Sequence, residues 1–169
     1  DPSAAIGVLD AARAALAGGA TAIQVRWKQA TARELVELVR ALRQPASDAG
    51  ALLIVNDRVD VALAADADGA HLGDDDLPLT AARSIVPPGF ILGRSVDTPA
   101  EAAAAERAGA DYVGLGPIFS TTSKMDTGPV VGPAGIAAVR AATGVPIVAI
   151  GGIGMGRAAE VVRAGVDGI

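Results

Sequence analysis

"RAGADYV", residues 107–113, reads as the end of a helix, a glycine and the start of a strand. The chain writes the same joint at "AGGATAI" (17–23), "AADADGAHL" (64–72) and "RAGVDGI" (163–169). In each, an Ala-rich run with apolar residues at helical spacing stops, and a β-rich run follows within a few residues. Joints this short between alternating helices and strands predict a parallel sheet with helical crossovers. Working outward, the strands fall at 21–27, 52–56, 69–73, 90–96, 111–116 and 146–152, and a further one starts at 167–169. Helical runs lie at 4–19, 32–44, 57–66, 79–86, 99–109, 133–143 and 156–165.

Two parallel architectures fit an alternating pattern. An open doubly wound sheet would usually carry a Gly-rich fingerprint after its first strand, and none stands there. The expected fold is therefore α/β, a (β/α)8 TIM barrel. The 169 residues fall short of the roughly 200 at the low end for such barrels. One strand before Asp1 and one helix after Ile169 would complete it. The expectation is a single TIM-barrel domain over 1–169, lacking its first strand and its C-terminal end.

Composition narrows the function classes. Apolar residues make up 51% and aromatics 2%, so Ala, Val, Ile and Leu must build the core. A formal net charge of −5 argues against a nucleic-acid binder, which needs a basic face. No apolar run is long enough to span a bilayer. The chain has no Cys, hence no thiolate metal site and no disulfide. A cytoplasmic protein without nucleic-acid or membrane partners is expected, and a homo-oligomer is compatible with the sequence.

Polar residues collect at the C-terminal ends of the strands, where a TIM barrel keeps its active site. Gln24, Arg26 and Lys28 alternate with Val25 and Trp27, so period two sets the three polar residues on one face. A solvated edge strand would give the same alternation. Asn56 and Asp57 end the next strand, and Asp57 also suits an N-cap. "HLGDDDLP" (71–78) follows, with the only histidine inside the strand and three aspartates beyond Gly73. Arg94 and Ser95 end "FILGRSV", after which Thr98, Pro99 and Glu101 have the spacing of a capping box. The long connection "GLGPIFSTTSKMDTGPVVGP" (114–133) carries hydroxyls and one ammonium, a mixture suited to phosphate. In "AIGGIG" (149–154) paired glycines let the backbone approach a ligand before a helix N-terminus. Carboxylates on two strand ends, set with cationic and hydroxyl-rich ends, suggest a polyphosphate handled with Mg²⁺.

These motifs, "QVRWK" (24–28), "IVNDRVDVALAADADGAHLGDDDLP" (54–78), "GADYVGLGPIFSTTSK" (109–124) and "VPIVAIGGI" (145–153), occur in an order that resembles the thiamine phosphate synthases. The likeness runs over nearly the whole chain. It implies a Mg²⁺-dependent transferase whose small-molecule partners are a pyrimidine diphosphate and a thiazole phosphate, with thiamine phosphate and pyrophosphate as products. Diphosphate would leave first, and the thiazole nitrogen would attack the resulting pyrimidine-stabilised cation. By the same resemblance Gln24, Arg26 and Lys28 would contact the pyrimidine diphosphate, Ser95 would lie near its diphosphate, Asn56 would bind substrate, and Asp57 and Asp76 would hold the metal. Thr121, Ser123, Lys124 and Gly152 bind phosphate groups. Arg26, Ser95 and Lys124 take the catalytic roles. Asp75 would help hold metal-bound water, and Asp74 would be a solvated stand-in for a usual Gln.

Several positions depart from the family's pattern. Trp27 replaces a usual Glu, Arg94 a usual small residue and Ser123 a Thr, and the Asn usual after "AIGGI" is missing. Two other readings share the layout. A related thiazole tautomerase places an acid/base histidine where this chain has Pro117, which cannot transfer a proton. A non-catalytic barrel that binds a phosphorylated ligand is the other, disfavoured by the intact Asp57, Asp76 and Lys124.

Overall fold

The structure, a computed structural model, describes residues 2–121 and 129–169, with side chains from residue 7 onward. Among these, helices and strands alternate: α1 (Pro2–Ala17), β1 (Ala22–Val25), α2 (Ala32–Asp48), β2 (Leu52–Asn56), α3 (Val59–Ala64), β3 (Gly69–Leu72) and α4 (Leu79–Ile85) come first. β4 (Ile91–Val96), α5 (Pro99–Arg107), β5 (Tyr112–Leu115), α6 (Gly132–Ala142), β6 (Ile147–Ala149) and α7 (Met155–Arg163) complete the order. The strands run in chain order from β1 to β6, and the ladders are parallel. This is the α/β fold of consecutive β/α units of a TIM barrel, as the joints predict. An isolated bridge between Val148 and Gly168 begins a further strand beside β6.

The chain divides into two compact units. The first holds residues 1–72 and 85–91. Its core is an amphipathic helix on a buried strand: Leu35, Leu38, Val39 and Leu42 recur at helical spacing on α2, while Leu53, Ile54 and Val55 are consecutive and all buried on β2. Such an unbroken run is what a parallel strand covered on both faces requires. Thr31 and Glu34 start α2 with a capping box, the Thr31 N–H donating to Glu34 Oε2 at 2.8 Å. The helical run is expected to stop at Gln44, before Pro45. Instead α2 continues to Asp48, because Ala46 is buried at 1% exposure and its carbonyl accepts the Ala51 N–H. Tertiary burial here outweighs the helix cost of proline.

Residues 73–84 and 92–169 form the second unit. Leu92, Val96, Val113, Leu115, Ile136, Val139 and Ile147 make its core. β4 and β5 approach closely: a Cβ on Gly93 would run into the Tyr112 ring, so a larger residue has no room there. Thr98 and Glu101 form the expected capping box at the start of α5, with Pro99 in the first turn.

The repeated joint has a physical basis in both units. Its third position is Gly19, Asp66, Gly109 or Gly165, and all four have positive φ. After three of them the next N–H reaches back over the helix end: Ala20 to the Ala15 carbonyl, Ala67 to Ala62 and Ala110 to Ala105. Two positions further along the joint from the first of these stand Thr21, Asp68, Asp111 and Asp167. Each Asp clamps the preceding strand. Asp68 exchanges hydrogen bonds with Leu53, Asp111 with Leu92 and Asp167 with Ile147: the strand N–H donates to the carboxylate, and the strand carbonyl accepts the Asp N–H. An arginine from an earlier helix completes each clamp, Arg43, Arg83 and Arg140 respectively.

Candidate active site

The site residues of the first unit lie at and just beyond the ends of β1 and β2. The β1 ladder stops at Val25, so Arg26 and Lys28 stand past it rather than within a strand running to 27. Alternation persists even so: Gln24, Arg26 and Lys28 are exposed, Val25 is buried and Trp27 half-buried. Trp27 therefore falls on the other side of the chain from the three polar residues, as period two requires. Asn56 is the last residue of β2, in register with His71 of β3.

Arg58, not Asp57, occupies the N-cap position of α3, so Asp57 stands one residue before the place its position suggests. The helix begins after Arg58, which makes no side-chain cap. Asp57 instead takes φ 65°, a left-handed conformation uncommon for a residue with a side chain. Its N–H donates to the His71 carbonyl at 2.8 Å, and its Oδ1 accepts from Asn56 Nδ2 at 2.5 Å. Strained backbone of this kind persists where surrounding structure over-determines it, and it gathers at functional sites. Arg58 pairs with Asp60 at 2.5 Å, and that guanidinium is the main cause holding the Asp60 carboxyl below its usual range. His71 is buried at 5% exposure.

In the second unit the three aspartates separate into distinct roles. Asp76 folds back on the turn, its Oδ2 accepting the Gly73 N–H at 2.6 Å while its own N–H donates to the Gly73 carbonyl at 3.3 Å. Asp74 is not merely solvated. Although its side chain is 85% exposed, its carboxylate pairs with Arg94 at 2.5 Å. Asp75 is exposed. Asp74, Asp76, Arg94, Ser95 and Glu101 line a cavity of about 390 Å³ beside α4 and α5.

Gly151 and Gly152 follow β6 with φ of 90° and 67°. A Cβ on Gly152 would lie 2.7 Å from the Ser120 carbonyl oxygen and 2.8 Å from that of Phe119. Only glycine combines that φ with that approach. Arg157 of α7 stacks 4.4 Å from the centre of the Phe119 ring, a contact with no counterpart in the sequence reading. An Arg eight residues after "AIGG" begins is its only linear signal. Thr121 is half-buried just after this segment, and Ser123 and Lys124 lie outside the described residues.

No three His, Cys, Asp or Glu side chains gather as a metal cage among the described residues. Mg²⁺ does not demand one, since phosphate oxygens and water complete a shell begun by one or two carboxylates. Asp57 and Asp76 supply hard oxygen donors, and each carboxylate is oriented by a hydrogen bond, as ligating carboxylates usually are. In chemical terms they fit the ion.

Residues 3–169 match the model of a protein family described as thiamine monophosphate synthase. The chain belongs to that family. It is 56% identical over 161 residues to the thiamine-phosphate synthase of Moorella thermoacetica, covering 95% of this chain and 77% of the relative. To the thiamine-phosphate synthase of Methanoculleus marisnigri it is 54% identical over 160 residues, again 95% of this chain and 76% of the relative. Among solved structures it is similar to thiamine phosphate pyrophosphorylase from Pyrococcus furiosus, with a TM-score of 0.88 and 46% identity over 95% of this chain and 77% of that one. Family membership makes the chain an enzyme, a transferase of thiamine biosynthesis.

Proposed function

We infer that the chain joins 4-amino-2-methyl-5-hydroxymethylpyrimidine diphosphate to 4-methyl-5-(2-phosphoethyl)thiazole, giving thiamine phosphate and pyrophosphate. The observation that carries this reading is family identity at 56% together with the family's polar residues at successive strand ends. The carbon–oxygen bond to diphosphate breaks first, and the leaving group takes the bonding pair. The pyrimidine spreads the positive charge left on its exocyclic carbon. The thiazole nitrogen then donates its lone pair to that carbon, so no strong base is needed.

Such a reaction depends on stabilising the leaving group and positioning the nucleophile. Arg26, Lys28 and Lys124 carry the charge that offsets diphosphate, and Gln24, Asn56 and Ser95 orient the pyrimidine diphosphate by hydrogen bonds. Thr121, Ser123 and the Gly152 backbone bind the phosphate of the thiazole. Asp57 and Asp76 would each offer a carboxylate to Mg²⁺, which when bound would supply positive charge for the diphosphate leaving group. Substrates with this much phosphate charge fit a cytoplasmic enzyme. Pro117, buried and without a titratable group, speaks against the tautomerase reading.

The test is to mix purified protein with both precursors and Mg²⁺ and follow pyrophosphate. Release that requires the thiazole phosphate supports the synthase. Isomerisation of the thiazole without pyrophosphate, or binding without turnover, overturns it.

A further inference from the structure

Three consecutive carboxylates, Asp74, Asp75 and Asp76, repel one another, and among the described residues Arg94 reaches into their turn. Arg94 stands on β4 between Gly93 and Ser95. Strand alternation sets it on the face of Leu92 and Val96, both buried, and opposite to that of Ser95. Its side chain is only 22% exposed. The guanidinium spends its fork on the turn: Nη1 donates to the Gly73 carbonyl, and Nη2 to Asp74 Oδ1. The other side of the Gly73 residue is occupied by Asp76, since the Gly73 N–H donates to Asp76 Oδ2. The Gly73 carbonyl also accepts from the Asp76 N–H. Arg94 thus fixes the residue that fixes Asp76, and its charge offsets the repulsion within the acidic run.

We propose that Arg94 is a positioning residue that holds the Gly73–Asp76 turn so that the Asp76 carboxylate is presented for Mg²⁺. The part concerning Mg²⁺ rests on the reading of Asp76 as a metal ligand; the hold on the turn does not. Arg94 reads as a departure from the family's small residue, and its role is to brace the turn from the strand face away from Ser95. A planar two-pronged donor is required, because one prong serves a carbonyl and the other a carboxylate.

The experiment compares wild type, Arg94→Ala and Arg94→Lys in three readouts. Amide hydrogen exchange at Gly73 and Asp76 is expected to quicken about tenfold in Arg94→Ala, while the Thr98–Glu101 cap exchanges as in wild type. Affinity for Mn²⁺ in the presence of pyrophosphate, measured without turnover, is expected to fall about tenfold. The Mg²⁺ concentration for half-maximal synthase activity rises by a similar factor, with kcat at saturating Mg²⁺ within about twofold of wild type. Arg94→Lys, with one point of contact, falls between the two in each readout. Unchanged exchange at Gly73 and Asp76 overturns the proposal. So does a rise in KM for the pyrimidine diphosphate at unchanged Mg²⁺ requirement, which would put Arg94 on the substrate. Faster exchange in the variant beside a wild type that needs no metal would instead sink the assignment of Asp76, and leave Arg94's hold on the turn standing.

Discussion

Asp111 and Leu92 are bound to each other twice: the Leu92 N–H donates to Asp111 Oδ2 at 2.7 Å, and the Asp111 N–H donates to the Leu92 carbonyl at 2.8 Å. Arg83 closes the arrangement, reaching the same carboxylate oxygen at 2.5 Å and the Gly109 carbonyl at 2.7 Å. Removing the Asp111 carboxylate leaves a half-buried strand N–H without its partner. Asp111→Ala is expected to cost about 1–3 kcal/mol, the usual penalty for an orphaned buried donor. Arg83→Ala should cost less, since exposed ion pairs contribute only about 0–1 kcal/mol. Urea unfolding of both variants checks the order. Equal losses would mean that the ion pair, not the bond to the strand, is what stabilises the joint.

Asp76→Ala removes a proposed metal ligand while leaving the fold's core untouched. Synthase activity at low Mg²⁺ should fall on the order of a hundredfold, a loss typical of removing one electrostatic partner of a transition state. Higher Mg²⁺ should restore part of it. Full activity of the variant at low Mg²⁺ would refute the assignment.

Gly152→Ala tests the close backbone approach after β6. The new Cβ would meet two carbonyl oxygens below 3.0 Å at a φ of 67°. A stability loss of about 1–3 kcal/mol is expected from strain of this kind. KM for the thiazole phosphate should rise more than KM for the pyrimidine diphosphate, measured by initial rates. Equal effects on both would argue against a phosphate contact at Gly152.

Glu106 joins the end of α5 to the end of α6, accepting from Thr143 Oγ1 at 2.8 Å and from the Gly144 N–H at 3.1 Å. The Thr143 hydroxyl first, and the Gly144 amide second, hold its carboxyl below the usual range. The unfolded chain therefore binds the proton more readily than the folded one, so stability rises with pH through this window. The contribution is complete above the ordinary glutamate range and is lost as pH falls through the lowered folded value. Glu106→Gln should be less stable than wild type at neutral pH, and the gap should close on acidification. Denaturation midpoints of the two proteins at a series of pH values read this directly, and a pH-independent gap would contradict it.

Much of the fold is legible along the chain because it is written in local chemistry. The alternation of Ala-rich helices with short apolar strands, the glycine that closes the helix at three of the four joints, and the Thr98–Glu101 cap depend on neighbours a few residues away. Strand ends were harder: nothing local marks Val25 as the last laddered residue of β1, since Gln24, Arg26 and Lys28 keep the same alternation beyond it. Asp57 carries a signal suited to a helix cap, and its left-handed φ, with its N–H on the His71 carbonyl, comes from the neighbouring strand rather than from the local sequence.

The β/α order and the aliphatic character of the core can be read along the chain, because periodicity and capping act over a turn or two of residues. Tertiary structure alone decided who meets whom across longer spans. Asp111 finds Leu92 and Arg83, and Arg94 finds Gly73 and Asp74, some twenty residues back. Those partnerships depend on parallel register and on which face of a strand a side chain occupies. A shift of one residue would send Arg94 to the opposite face and leave the acidic turn without its cation.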